Sequence, residues 1–126
     1  MNDKLTIKEI VVYIKPLVEK YRISEVFIFG SYARDEATEN SDIDLLVYGG
    51  ENFKPTHIFS FAEELRELLH KNVDAFEINE VNPDSDFYQT IMKEKIKVAW
   101  NIRISKGCRK YMTMPKNYVN TYGIMM

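Results

Sequence analysis

Hydrophobic positions fall along this chain in two rhythms, one with helical spacing and one in short continuous runs. Ile7, Ile10, Val11, Ile14, Leu17, Val18 and Tyr21 recur at helical spacing, and Thr6 with Glu9 three residues on reads as a capping box opening that helix. Pro16 lies inside the stretch. It lacks an N–H and crowds the preceding turn, so the sequence predicts a kink or a break into two short helices there, with an end near Tyr21-Arg22. Glu25-Val26-Phe27-Ile28-Phe29 is a β-branched and aromatic run that stops at Gly30, the pattern of a strand buried on both faces. Ser31 is a favourable N-cap, which predicts a short helix over Tyr32 to Ala37, with Thr38-Glu39-Asn40-Ser41 as the turn beyond. Asp42 to Tyr48 reads as a second strand closed by Gly49-Gly50. Lys54-Pro55-Thr56 then leads into a helix with Ile58, Phe59, Ala62, Leu65, Leu68 and Leu69 on one face. Val73 to Ile78 follows as a strand, Asn82-Pro83-Asp84 as a turn with a cap, Phe87 to Lys95 as a helix and Ile96 to Trp100 as a last strand. Strands alternate with helices, an α/β organisation.

Composition narrows the class of protein. At 126 residues, 45% hydrophobic and 29% charged, the chain has the size and balance of one soluble domain. It holds no apolar run approaching the roughly 18 residues of a membrane span. The polar start MNDKLTIKEI lacks the form of a secretory signal, and the single cysteine, Cys108, has no disulfide partner, so the expected location is the cytoplasm. The net charge of −2 conceals a division: residues 1–100 carry all 19 acidic groups and 12 basic ones, whereas 101–126 carry five basic groups and none acidic. Residues 1–100 are therefore expected to form the domain and 101–126 a basic extension, disordered or used for docking. An acidic body disfavours broad nucleic-acid binding, because affinity for a polyanion comes largely from Lys and Arg on phosphates. The basic extension is the one segment that would contact RNA or an acidic partner.

The candidate chemistry lies between the first two strands. Residues two apart on a strand share a face, so Asp42 and Asp44 point the same way with Cα atoms about 6.5 to 7 Å apart, placed to converge on shared cations. Taken alone, this alternation is more simply the wet face of a half-buried strand. Gly30 ends the preceding strand, and a residue without Cβ lets phosphate oxygens approach the backbone. Ser31 adds a hydroxyl at the start of the predicted helix, whose N–H groups and dipole favour an anion. A Gly-Ser pair alone is ordinary turn punctuation; the combination and its spacing are specific.

Gly30-Ser31-Tyr32-Ala33-Arg34 followed by Ser41-Asp42-Ile43-Asp44-Leu45-Leu46-Val47 resembles the minimal nucleotidyltransferases of the DNA polymerase beta superfamily, over roughly residues 7–100. The resemblance is greatest to the short prokaryotic branch whose members act as antitoxins beside a HEPN-domain toxin and transfer AMP to its tyrosine. It implies a small mixed β-sheet with helices packed on it and the site at the sheet's end or edge. A third carboxylate in that family sits in a Val-Asp context that Val73-Asp74 matches. The resemblance gives Asp74 an ion near the acceptor hydroxyl and a place to take its proton; Glu77, the rival, falls on the opposite strand face. ATP would be the substrate, with two Mg²⁺ ions held by Asp42, Asp44 and Asp74. Arg34 either reaches a phosphate or pairs with Asp35 or Glu36, and Ser41 either bonds phosphate or caps its turn. Where the family has glycine after the arginine, this chain has Asp35, an added negative charge that puts turnover in question. His57 and His70 lack partners at metal-ligand spacing. Two alternatives stay open: transfer to a small hydroxylated molecule such as an aminoglycoside, and a non-catalytic module that blocks a toxin by occlusion.

Overall fold

The structure is a computed structural model that describes residues 5–50 and 53–101. Helix α1 (Ile7–Lys20) is followed by strands β1 (Glu25–Phe29) and β2 (Ile43–Tyr48), helix α2 (Pro55–Leu69), strand β3 (Val73–Glu77), a short 3₁₀ turn (Ile78–Glu80), helix α3 (Asp86–Glu94) and strand β4 (Ile96–Trp100). The sheet order is β3-β2-β1-β4. β1 runs antiparallel to both β2 and β4, while β2 and β3 are parallel, so the sheet is mixed as expected.

The two faces of this sheet are covered differently. Val26 and Ile28 of β1, Ile43, Leu45 and Val47 of β2, Val73 of β3 and Val98 of β4 share one core with the inner stripes of α1 and α2. Alternation sends Phe27, Phe29 and Leu46 to the other face, where Phe76 also packs and α3 supplies Ile91, Tyr88 and Met92. Val26, Phe27, Ile28 and Phe29 of β1 are all buried, as their unbroken apolar run predicts, and Glu25 is buried with Lys97 as its ion-pair partner at 3.4 Å.

Five local expectations are corrected. α1 continues through Pro16 as one helix, so the break into two does not occur; Pro16 and Val12, whose carbonyl loses its partner, both lie on the exposed side, open to solvent. The capping box is formed, with Glu9 N–H donating to Thr6 Oγ1 at 3.1 Å and Thr6 N–H to Glu9 Oε1 at 2.8 Å. Residues 32–37 form turns in place of the predicted helix. Asp35 takes a φ of 60°, a left-handed conformation that ends any right-handed helical path after one turn. On α2, Ala62, Leu65 and Leu69 are buried as expected and Ile58 packs on the core, but Phe59 and Leu68 are exposed and Phe61 is buried in their place. Finally, β2 begins at Ile43, leaving Asp42 just ahead of the strand, and the cap of α3 is Ser85, whose hydroxyl accepts the Tyr88 N–H.

No described helix is long and apolar enough to cross a membrane. Asn101 is buried and its N–H donates to the Ser24 carbonyl at 2.8 Å. The rest of the predicted basic extension, with Cys108, lies outside the described residues.

Candidate active site

The site forms where the second sheet face outruns its cover. In the β1–β2 register Phe29 is opposite Asp44, and in the β2–β3 register Asp44 is opposite Asp74. One row across the sheet therefore reads Phe29, Asp44, Asp74, and the next reads Phe27, Leu46, Phe76. α3 covers the apolar row and leaves the carboxylates at the sheet's end uncovered. Asp44 is half-buried, whereas Asp42 and Asp74 are exposed. Glu77, set against Val47, falls on the other face, so Asp74 is the carboxylate that joins the group.

Burial, followed by the like charges of Asp74, Asp42 and Glu94, pushes the Asp44 carboxyl up to about 6, against a smaller opposing pull from Arg34. Among the described residues no hydrogen bond or ion pair compensates the Asp42, Asp44 or Asp74 side chains. Their repulsion is thus uncompensated among the described residues. No three His, Cys, Asp or Glu side chains among the described residues make a ready-made cage. An anionic, oxygen-only and incomplete donor set of this kind fits Mg²⁺, which combines one or two carboxylates with substrate phosphates.

Gly30 has a φ of 77°, and a Cβ built on it would collide with the Asp44 carboxylate. Both the backbone conformation and the contact demand glycine. The turn that follows is held by bonds from Arg34 N–H to the Gly30 carbonyl (3.1 Å) and from Glu36 N–H to the Ser31 carbonyl (2.9 Å). The anion-binding features of Ser31 are therefore those of a turn, since no helix starts there. Its own N–H and hydroxyl make no hydrogen bond among the described residues.

Gly30, Ser31, Arg34, Ser41, Asp42 and Asp44 line a single cleft of about 450 Å³, which Asp74 adjoins through its place beside Asp44. Arg34 pairs through Nε with Glu36 at 3.0 Å, and its Nη1 donates to both oxygens of Glu94 at 3.1 and 3.2 Å. Ser41 Oγ accepts the Thr38 N–H at 2.8 Å, so this hydroxyl caps its turn. Asp35 faces a different cleft, lined by Leu5, Thr6, Ile7, Lys8, Tyr32 and Ala37, and is not among the charges that act on Asp44.

The residue that the sequence reading missed is Glu94. The stripe Phe87, Thr90, Ile91, Glu94 runs along α3 at helical spacing and forms one wall of the cleft. Glu94 Oε2 accepts the Gly30 N–H at 2.6 Å. One signal was available: a carboxylate in the last turn of a helix opposes the helix dipole, which invites the question of what holds it there.

Comparison with known proteins gives the family and the fold. The family model described as Polymerase beta, Nucleotidyltransferase matches residues 13–101. The chain is 40% identical over 79 residues to "Putative protein adenylyltransferase MJ0435" of Methanocaldococcus jannaschii, covering 63% of this chain and 85% of that protein. It is 33% identical over 84 residues to "Protein adenylyltransferase MntA" of Thermococcus cleftensis, covering 67% and 83%. Among solved structures it is similar to a toxin-antitoxin component crystallised with AMP-PNP, at a TM-score of 0.60 and 17% identity over 86% of this chain and 88% of that one. It is also similar to a chain of the Shewanella oneidensis complex of a tri-AMPylated HEPN toxin with its MNT antitoxin, at a TM-score of 0.58 and 16% identity over 85% and 87%. These last two likenesses establish the fold.

Proposed function

The chain belongs to the polymerase beta nucleotidyltransferase family, and from that premise we propose that it is a protein adenylyltransferase moving AMP from ATP to a tyrosine hydroxyl of a HEPN-type toxin, in the role of antitoxin. The observation that carries the reading is the uncompensated carboxylate row beside the Gly30-Ser31 turn. Two relatives named as protein adenylyltransferases and the AMPylated toxin of the Shewanella oneidensis complex support the choice of acceptor.

In this mechanism Asp42, Asp44 and Asp74 would hold two Mg²⁺ ions together with the substrate phosphates. When bound, these supply charge neutralisation for the triphosphate and for the departing pyrophosphate. Ser31 offers its free N–H and hydroxyl to a phosphate, and Arg34 adds positive charge on the same side. Ser41 holds the turn that delivers Asp42, its hydroxyl serving the Thr38 N–H. Asp74, exposed at the outer end of the row, accepts the proton of the acceptor hydroxyl as that oxygen attacks the α-phosphorus and the bond to pyrophosphate breaks.

The chain is to be incubated with α-labelled ATP, Mg²⁺ and the co-expressed candidate toxin, and the toxin analysed by mass spectrometry. The expected result is AMP on a tyrosine, lost by at least about a thousandfold in rate for Asp42→Asn with Asp44→Asn. Neutralisation of the toxin by that double variant without any AMP transfer would sink the enzymatic reading and leave occlusion.

A further inference from the structure

Glu94 is out of place by ordinary electrostatics. It sits in the last turn of α3, where the helix dipole disfavours a negative charge, and it adds to the repulsion on Asp44. Its side chain is only 16% exposed. Two contacts keep it there. The Gly30 N–H donates to Oε2 at 2.6 Å, a short charge-assisted bond, and Arg34 Nη1 spans both oxygens.

The direction of these contacts is informative. Glu94 takes the Gly30 N–H, while the N–H and hydroxyl of the next residue, Ser31, stay free among the described residues. It likewise takes Nη1 of Arg34, and Glu36 takes Nε, which leaves the outer nitrogen Nη2 without a bonded partner. Gly30, Ser31, Arg34 and Glu94 all line the cleft, so the donors that Glu94 leaves over stand beside those it takes. One carboxylate thereby ties the turn, the guanidinium and the end of α3 into a fixed unit.

We infer that Glu94 is a positioning residue for nucleotidyl transfer, which clamps the Gly30 turn and Arg34 from the α3 wall of the cleft so that Ser31 and the free edge of Arg34 meet the nucleotide phosphates in one orientation. This rests on the nucleotidyl-transfer reading above and adds to it a residue acting through two others. The contrary reading is that Glu94 stands in the phosphate's own place and must leave when nucleotide binds.

The test uses the full chain, labelled with ¹⁵N and observed with and without Mg²⁺ and a non-hydrolysable ATP analogue. The Gly30 amide is expected far downfield in the free protein, shifted upfield in Glu94→Gln, and still downfield with nucleotide bound. Glu94→Gln is expected to lower kcat by about tenfold to a hundredfold with the KM for ATP changed by less than about threefold, since misplacement is felt most at the transition state. Adding Glu94→Gln to Arg34→Ala is expected to cost less than it does alone, the sign of residues acting as one unit. If Glu94→Gln does not fold, the wild-type Gly30 amide carries the test by itself. A chain that binds nucleotide but gives up the downfield Gly30 signal, or a Glu94→Gln variant with undiminished kcat, overturns the inference alone. A spectrum that does not respond to nucleotide overturns the transfer reading and this inference with it.

Discussion

The two faces of the sheet are built from the same strands, yet one is closed and the other is left open at its end. Leu45 and Asp44 are adjacent on β2. Leu45 is fully buried under α1 and α2, whereas Asp44 lies on the face that a single helix of nine residues covers incompletely. The closed face derives its stability from apolar area removed from water. The open end holds like charges together and leaves them unpaired. What the contrast teaches is that the mandatory apolar alternation of a strand supplies, one residue away, the rigid mounting a charged site needs. The cost of that site is met by the other side of the same strand.

The largest effect that would break this comparison is on the closed face. Leu45→Ala removes a side chain with no exposure from the core it shares with Ile28, Val47 and Phe61. Its expected cost is about 3 kcal/mol, from lost transfer energy and a residual cavity. Chemical denaturation read by circular dichroism checks it. A cost below about 1 kcal/mol would mean that this face is not the one that holds the fold.

How much of this contrast was legible beforehand follows from where side-chain periodicity speaks. The β1 run, the Thr6 capping box and the Asp42/Asp44 alternation are local patterns, and each reappears in the structure with at most a one-residue shift. The pairing of Asp74 with Asp44 is a register between strands 30 residues apart; it came from resemblance, because periodicity carries no register. Glu94 escaped because its partners, Gly30 and Arg34, lie some 60 residues earlier and are met only once β4 returns beside β1. The helix expected after Ser31 failed for a reason visible only in the backbone, the positive φ at Asp35.

A smaller effect, of opposite sign, is expected on the open end. The Asp44 carboxyl stands at about 6 when folded, above its ordinary value of 3.8, so the folded state binds its proton more tightly than the unfolded state does. That contribution to stability is fully present below pH 3.8 and is lost as pH rises through about 6, where the ionised group becomes a liability. Asp44→Asn should therefore stabilise the metal-free chain at pH 7.5. Discounted for the water that still reaches the group, the gain is about 1 kcal/mol. Thermal melts in EDTA across pH 4 to 8 check the sign: the advantage of the variant should vanish toward pH 4. Added Mg²⁺ should stabilise the wild type and not the variant, closing the gap at high pH. A variant less stable than wild type at pH 7.5 would mean that Asp44 is a structural partner and not an uncompensated charge.

The smallest effect concerns Asp35, which stands where the family has glycine. Its φ of 60° is left-handed, a conformation that Asp tolerates and Gly adopts freely. Asp35→Gly relieves that strain but also loosens the unfolded chain, so the two terms largely offset and the net gain is roughly 0.5 kcal/mol or less. Because Asp35 faces the cleft beside Leu5 and Tyr32, on the side of α1, the substitution should raise the melting temperature by a degree or two and leave AMP transfer unchanged. A rise in transfer rate of more than about threefold, with stability unaltered, would show that the Asp35 charge does reach the phosphates and that the open end extends around the turn, against the division of the two faces drawn above.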